Sequence, residues 1–203
     1  MPAINVGSVL NEFKEEVLRC KKLVTSMKAH RIPYFQCEQI SELSFLRVYV
    51  AWEEFLEGTF SRFLCGASSI SGRRPKLYAS PRNIDHARKM IIGFERGDRF
   101  ADWSQRHKVT DRAELLFRDG SPFRTPIQAA GTELDEMRAI RDRIAHRSDK
   151  ARNQFNGVVH KKLGTALMLN PGRFLLRVDL ATGLTFLDFY SDRAVLVAEN
   201  IVA

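Results

Sequence analysis

The residue types and spacing best suited to chemistry lie in Met137-Arg-Ala-Ile-Arg-Asp-Arg-Ile-Ala-His146. Read as a helix, this stretch puts Leu134, Met137, Ile140 and Ile144 on one apolar stripe. Arg138, Asp142 and His146 follow at intervals of four, so they share a face. Arg141 stands on the margin between that face and the stripe. A guanidinium offers a rigid, permanently charged fork for phosphate oxygens. An imidazole exchanges its proton near neutral pH. Asp142 is placed to accept a hydrogen bond from the His146 ring and so fix its tautomer. Together these groups suit action on a phosphodiester. The competing reading is a solvated charged row whose ion pairs contribute a few tenths of a kcal/mol each.

Context favours chemistry. Of the 5 histidines, only His146 follows an arginine with four to six residues between them. Arg141-Asp-Arg-Ile-Ala-His146 resembles the signature of the HEPN superfamily: an Arg, a polar residue, then a His after four to six intervening residues. The preceding stretch, Asp111-Arg-Ala-Glu-Leu-Leu-Phe-Arg-Asp-Gly-Ser-Pro-Phe123, is similar to one branch of that family, the RiboL-PSP-HEPN-like proteins. So are Arg147-Ser148 after the signature and the earlier Leu46-Arg-Val-Tyr-Val-Ala-Trp-Glu-Glu-Phe-Leu-Glu57. The resemblance covers about residues 40–200.

The resemblance implies a metal-independent endoribonuclease that uses no cofactor. Attack by a ribose 2′-OH on the adjacent phosphorus would leave 2′,3′-cyclic phosphate and 5′-OH ends. His146 would transfer protons. Arg141 would hold the non-bridging oxygens where charge builds. Asp142 would orient His146 or the ribose. Arg138, Arg143 and Arg147 would contact the RNA backbone. Residues five apart on a helix differ by about 140° in direction, so one chain does not aim Arg141 and His146 together. A homodimer with a composite active site removes that difficulty and is how such nucleases are assembled. Members often serve as toxins or anti-phage effectors restrained by an antitoxin or another defence-system protein. The runner-up is a non-catalytic HEPN module binding RNA, nucleotide or a partner protein. A purely structural helical subunit is the third reading. RNA cleavage separates the first two, and a steep salt dependence of RNA binding separates the last two.

Composition agrees with a single globular domain over 1–203, since 44% of residues are hydrophobic and 28% charged. The net charge of +8 favours a polyanionic partner. Arginine outnumbers lysine by 22 to 10, which leans towards geometric recognition of phosphate. Cys20, Cys37 and Cys65 have neither disulfide nor zinc spacing; Cys20 and Cys65 read as buried thiols. The start of the chain lacks a basic, apolar signal pattern, and the longest uncharged apolar run, Val48 to Trp52, is too short to span a bilayer. A cytoplasmic protein with no membrane partner is expected. Phosphate-loop, dinucleotide, serine-elbow and zinc-protease motifs are absent.

The elements that must position the site are mostly helical. A first helix spans 7–29, with Val9, Phe13, Val17, Cys20 and Val24 inward, and the segment Arg31-Ile-Pro-Tyr ends it. A central helix spans 38–65. Phe45, Tyr49, Trp52, Leu56, Phe60 and Phe63 form its stripe, which Leu46, Val50, Phe55 and Leu64 widen. An insertion at 66–131 separates it from the signature helix. It opens with a mobile loop over 66–82, whose Arg73, Arg74, Lys76 and Arg82 could meet an RNA backbone or simply be solvated. Asn83 caps a helix to Gly93, Phe100 and Trp103 sit in a connector, and Thr110 caps a helix over 110–118. Thr132 caps the signature helix, which runs to about 155 with His146 inside it. A small β-hairpin fits 174–189. Ser191 caps a last helix with no stop signal at Ala203, so either the natural chain continues or this end docks on a partner. The expected fold is therefore an HEPN-like helical bundle with an insertion.

Overall fold

A computed structural model describes residues 5–30, 32–93, 101–165 and 167–203. Arg31 and Phe100, used above as a breaker and a connector residue, lie outside them. The described chain is mostly helical, as the periodicity requires. Its helices are α1 (Val6–Ala29), α2 (Tyr34–Leu64), α3 (Ile84–Gly93), α4 (Arg106–Leu116), α5 (Arg124–Ala129), α6 (Gly131–Ala145), α7 (Asp149–Leu163), α8 (Pro171–Leu176) and α9 (Phe186–Val202). Among the described residues β-pairing is confined to two isolated bridges, Leu77–Phe117 and Val178–Thr185. None of the helices there is long and apolar enough to cross a membrane.

Two compact units are formed. One comprises 1–13, 52–131 and 195–203, the other 14–51 and 132–194. The first holds the whole 66–131 segment. Its core is aromatic: Phe60 packs at 4.7 Å from Phe123, 4.9 Å from Phe117 and 5.4 Å from Trp103, measured between ring centroids. The second holds the signature stretch. There Phe174 stacks on Phe186 at 4.4 Å, with Phe155 edge-on to Phe174 at 5.7 Å. Large rings of this kind carry much of the burial energy in small units.

Five expectations about boundaries and packing change. Helix α2 begins directly after Pro33, four residues earlier than expected, because proline is well tolerated ahead of the first turn. Val50 is half exposed and lies off the buried stripe of α2. Thr110 is buried inside α4 and donates to the His107 carbonyl at 2.8 Å, so it does not cap that helix. The hairpin at 174–189 reduces to the single Val178–Thr185 bridge, because helices take the residues on either side. Ser191 lies inside α9, where its hydroxyl donates to the Leu187 carbonyl at 2.7 Å. The N-terminus of α9 is held instead by Thr185, whose Oγ1 accepts from the Asp188 amide at 3.1 Å. The cap at Asn83 is present: its Oδ1 accepts from the His86 amide at 2.8 Å.

In the first unit Asp102 is a strong local tie. It accepts from the Ser104 amide at 2.9 Å, the Ser104 hydroxyl at 2.6 Å and Gln105 Nε2 at 2.6 Å, and Lys108 Nζ lies 3.1 Å away. Burial works against its charge, but these donors outweigh burial and hold the carboxyl at about 2. A value below the ordinary 3.8 means that the charged form favours the folded state. That stability is fully present above about pH 4 and is lost as pH falls towards 2. After allowance for solvent screening, Asp102→Asn is expected to cost about 1 kcal/mol at neutral pH and nothing at pH 2. Urea unfolding of both proteins across that pH range checks it, and a constant difference would refute the assignment.

Candidate active site

Helix α6 is built for one-sided burial. Leu134, Met137 and Ile140 are buried, and Ile144 is half-buried near the C-terminal end. Glu136, also buried, is held by Lys161 Nζ at 2.8 Å, Lys162 Nζ at 3.0 Å and the donating hydroxyl of Tyr190 at 3.0 Å. Burial first, then the Glu136 charge, pushes the Tyr190 phenol far above its ordinary value, so it stays a donor. This tie between α6, α7 and α9 fixes the rotation of α6 about its axis. The polar row then falls on the remaining face.

On that face the carboxylate of Asp142 serves two arginines. Its Oδ1 accepts from Arg141 Nη1 at 2.9 Å, and its Oδ2 lies 3.7 Å from Arg138 Nε. The Arg141 guanidinium lies over the ring of Tyr49, 5.7 Å from its centroid. Tyr49 is buried on α2, so the ring is a fixed platform for the cation. Arg141 is thus held from two directions, with about a third of its side chain exposed. Asp142 does not bond the His146 ring, contrary to expectation. Its lone pairs face the arginines because Arg138, one turn earlier, and Arg141, next in sequence, both reach it.

His146 sits at a break. Helix α6 ends at Ala145, and the His146 amide still closes the last turn onto the Asp142 carbonyl at 2.8 Å. Arg147 and Ser148 are non-helical, and α7 begins at Asp149. The continuous helix expected through 155 is therefore interrupted, and His146 is not inside it. The cause is local. Ser148 is extended at φ −68°, ψ 152°, and its Oγ accepts from the Ala151 amide at 3.3 Å. A serine cap with Asp149 in the first turn favours a new helix start over continuation. Arg143 Nη1 reaches back to the His146 carbonyl at 3.4 Å, a cation at the carbonyl end of α6. The His146 ring is exposed and makes no hydrogen bond among the described residues.

The structure brings together Arg138, Arg141 and Asp142, and places His146 and Arg147 just beyond them on exposed chain. Two of the four arginines of this stretch, Arg138 and Arg141, share the one carboxylate of Asp142, while Arg143 reaches the His146 carbonyl. A surplus of cations beside an exposed imidazole can bind a phosphodiester and exchange a proton with it. Tyr49 is the residue that sequence reasoning assigned to the core alone. Its helical spacing with Phe45 and Trp52 shows burial, and nothing local signals the guanidinium above it. Arg73, Arg74 and Lys76 belong to the other unit. Among the described residues no cluster of three or more His, Cys, Asp or Glu could hold a metal ion. No family model, curated protein or solved structure matches this chain.

Proposed function

We propose that the protein is an endoribonuclease of the HEPN type, working through Arg141 and His146. The observation that carries this reading is an arginine anchored by Asp142 and Tyr49, followed five residues later by an exposed, unbonded histidine at a helix break. Cleavage needs a proton taken from the 2′-OH and one given to the departing 5′-oxygen. It also needs stabilisation of the extra charge on the phosphorane oxygens. His146 supplies proton transfer, and Arg141 supplies the fixed charge. Arg138, Arg143 and Arg147 hold the flanking backbone. One protomer offers a single such histidine, so a two-fold dimer is the assembly that gives both an acid and a base. Dependence on the 2′-OH makes DNA a poor substrate.

The test is incubation of the purified protein with a mixed RNA pool in excess chelator, followed by analysis of fragment ends. Cyclic phosphate and 5′-OH ends from the wild type, and none from His146→Ala, are expected. Equal cleavage by both would remove His146 from the site. A folded, dimeric wild type that binds RNA without cutting it would replace this reading with a binding module. In the same assay Asp142→Asn, which keeps volume but loses the charge pinning Arg141, is expected to lower the cleavage rate about tenfold. An unchanged rate would mean that Arg141 needs no such anchor.

A further inference from the structure

The first unit contains a cleft of about 1020 Å³. One wall is the segment 69–76, which brings Arg73, Arg74 and Lys76. Another is the turn after α4, which brings Arg118 and Asp119, and Asn200 and Ala203 complete the rim. The cationic wall is not a free loop. The Ile70 amide donates to the Val202 carbonyl at 2.8 Å, and the Ser69 amide to the Arg73 carbonyl at 2.7 Å. Beyond the arginines, the Arg118 amide donates to the Lys76 carbonyl at 2.8 Å, and the Tyr78 amide to the Leu116 carbonyl at 3.0 Å. The segment is thus tied at both ends to helical chain far away in sequence. Its side chains are carried on a built frame, where the sequence suggested a mobile loop.

These four cations differ from the arginines of the protein that are paired with acids. Arg47, Arg124, Arg152, Arg173 and Arg193 each meet a carboxylate. Among the described residues Arg73, Arg74, Lys76 and Arg118 meet none, and Arg74 Nε donates only to the Ser68 hydroxyl at 3.1 Å. Among the described residues Asp119 is the one acidic residue lining the cleft with them, so positive charge remains in excess. Asp119 has φ +58°, the left-handed region that non-glycine residues rarely adopt. Crowding unpaired like charges around one concavity is unfavourable until an anion fills it. The ring nearest the cleft, Phe63, is fully buried, so no aromatic platform is offered to a nucleobase. Recognition rests on charge and hydroxyl donors.

We propose that this cleft binds a ligand carrying two or more adjacent phosphates. The sources of that chemistry are a free nucleoside triphosphate and the triphosphate end of an RNA. Several fixed cations can engage vicinal phosphates together, whereas a monophosphate reaches fewer of them. The site stands in its own unit, and the assignment does not depend on the ribonuclease reading.

Titration calorimetry at low salt on the full chain carrying His146→Ala, which prevents RNA loss, tests it. Inorganic tripolyphosphate and ATP are expected to compete for one site and to bind at least about tenfold tighter than orthophosphate or AMP. Arg73→Ala with Arg118→Ala is expected to weaken both about 30-fold without shifting the melting temperature. Arg138→Ala with Arg147→Ala should leave them unchanged. A short RNA with a 5′-triphosphate that displaces bound ATP at a lower concentration than tripolyphosphate does identifies an RNA end as the ligand; weaker displacement identifies a free nucleotide. Three results overturn the proposal: no saturable binding of either triphosphate, equal affinity in the Arg73/Arg118 variant, or a 5′-OH RNA displacing bound ATP as well as its 5′-triphosphate form.

Discussion

His146→Ala is expected to lower single-turnover RNA cleavage by about a thousandfold with little change in RNA affinity. Loss of a positioned acid–base group removes about two to four orders of magnitude, and the loss falls on the chemical step. Arg141→Ala is expected to lose a similar factor, because a fixed cation on the developing charge contributes about as much. It should also weaken RNA binding, since in the proposed mechanism the guanidinium holds the phosphate in the ground state as well. Arg141→Lys should recover little, because a point charge replaces the planar fork that Asp142 pins. A residual rate above a tenth of wild type in His146→Ala would remove it from proton transfer.

The proposed two-fold assembly would have its own signature. Mixing Arg141→Ala and His146→Ala protomers forms hybrid dimers whose shared cleft retains one arginine and one histidine, from opposite chains. Activity that rises on mixing two inactive proteins is expected if the cleft is shared. A mixture as inactive as its parts would mean either that each protomer works alone or that the cleft needs both histidines, and a His146→Ala/wild-type hybrid with half of the wild-type activity would single out the former.

The second large effect is structural. Gly172→Ala is expected to cost about 3 kcal/mol or more and to lower the melting temperature by about 10 °C. A Cβ at 172 would lie 2.2 Å from the Glu38 carbonyl oxygen, 2.6 Å from its carbon and 2.8 Å from its Cα. All three are backbone atoms of α2, so no side chain can turn aside. The approach is close because α8 is clamped there. The Gly172 amide donates to Glu42 Oε1 at 2.9 Å, while Glu38 accepts from Asn170 Nδ2 at 2.7 Å and Arg173 Nε at 2.8 Å. Burial opposes the Glu38 charge, but those two donors outweigh it and hold its carboxyl below the usual range. The clamp is therefore complete at neutral pH and loosens as pH falls through the lowered value. Gly157→Ala is the control. Gly157 lies exposed within α7 with no atom within 4 Å of an added Cβ, so alanine there should stabilise by about 0.5–1 kcal/mol. Thermal melts of both variants check the pair, and a Gly172→Ala protein as stable as wild type would show that α8 can lift from α2 at little cost.

What was legible in the sequence was whatever repeats within a turn or two of chain. Val9, Phe13, Val17, Cys20 and Val24 on α1, and Phe45 through Phe63 on α2, are buried as their three-four spacing requires. Leu134, Met137 and Ile140 set the inner face of α6, which leaves Arg138 and Asp142 outward. Helix ends were less legible, because capping is a competition between neighbours. Thr110, Thr132 and Ser191 looked like caps, yet all lie within helices, while Ser148 and Thr185 do the capping beside α7 and α9. The Ser148-Asp149 pair was a readable start signal, outweighed in the sequence by an unbroken helical pattern.

Only the tertiary structure decided which side chains meet. Tyr49 and Arg141 are 92 positions apart, and no local periodicity brings a ring beneath a guanidinium. Gly172 and Glu38 are as remote, and only the packing of α8 on α2 makes a missing Cβ necessary. The cationic cleft depends on Ile70 bonding Val202 and Lys76 bonding Arg118. Side-chain spacing along one helix follows from the backbone repeat, and so the sequence by itself determines it. Contacts across a fold depend on how every buried face is satisfied at once, and no single segment carries that information.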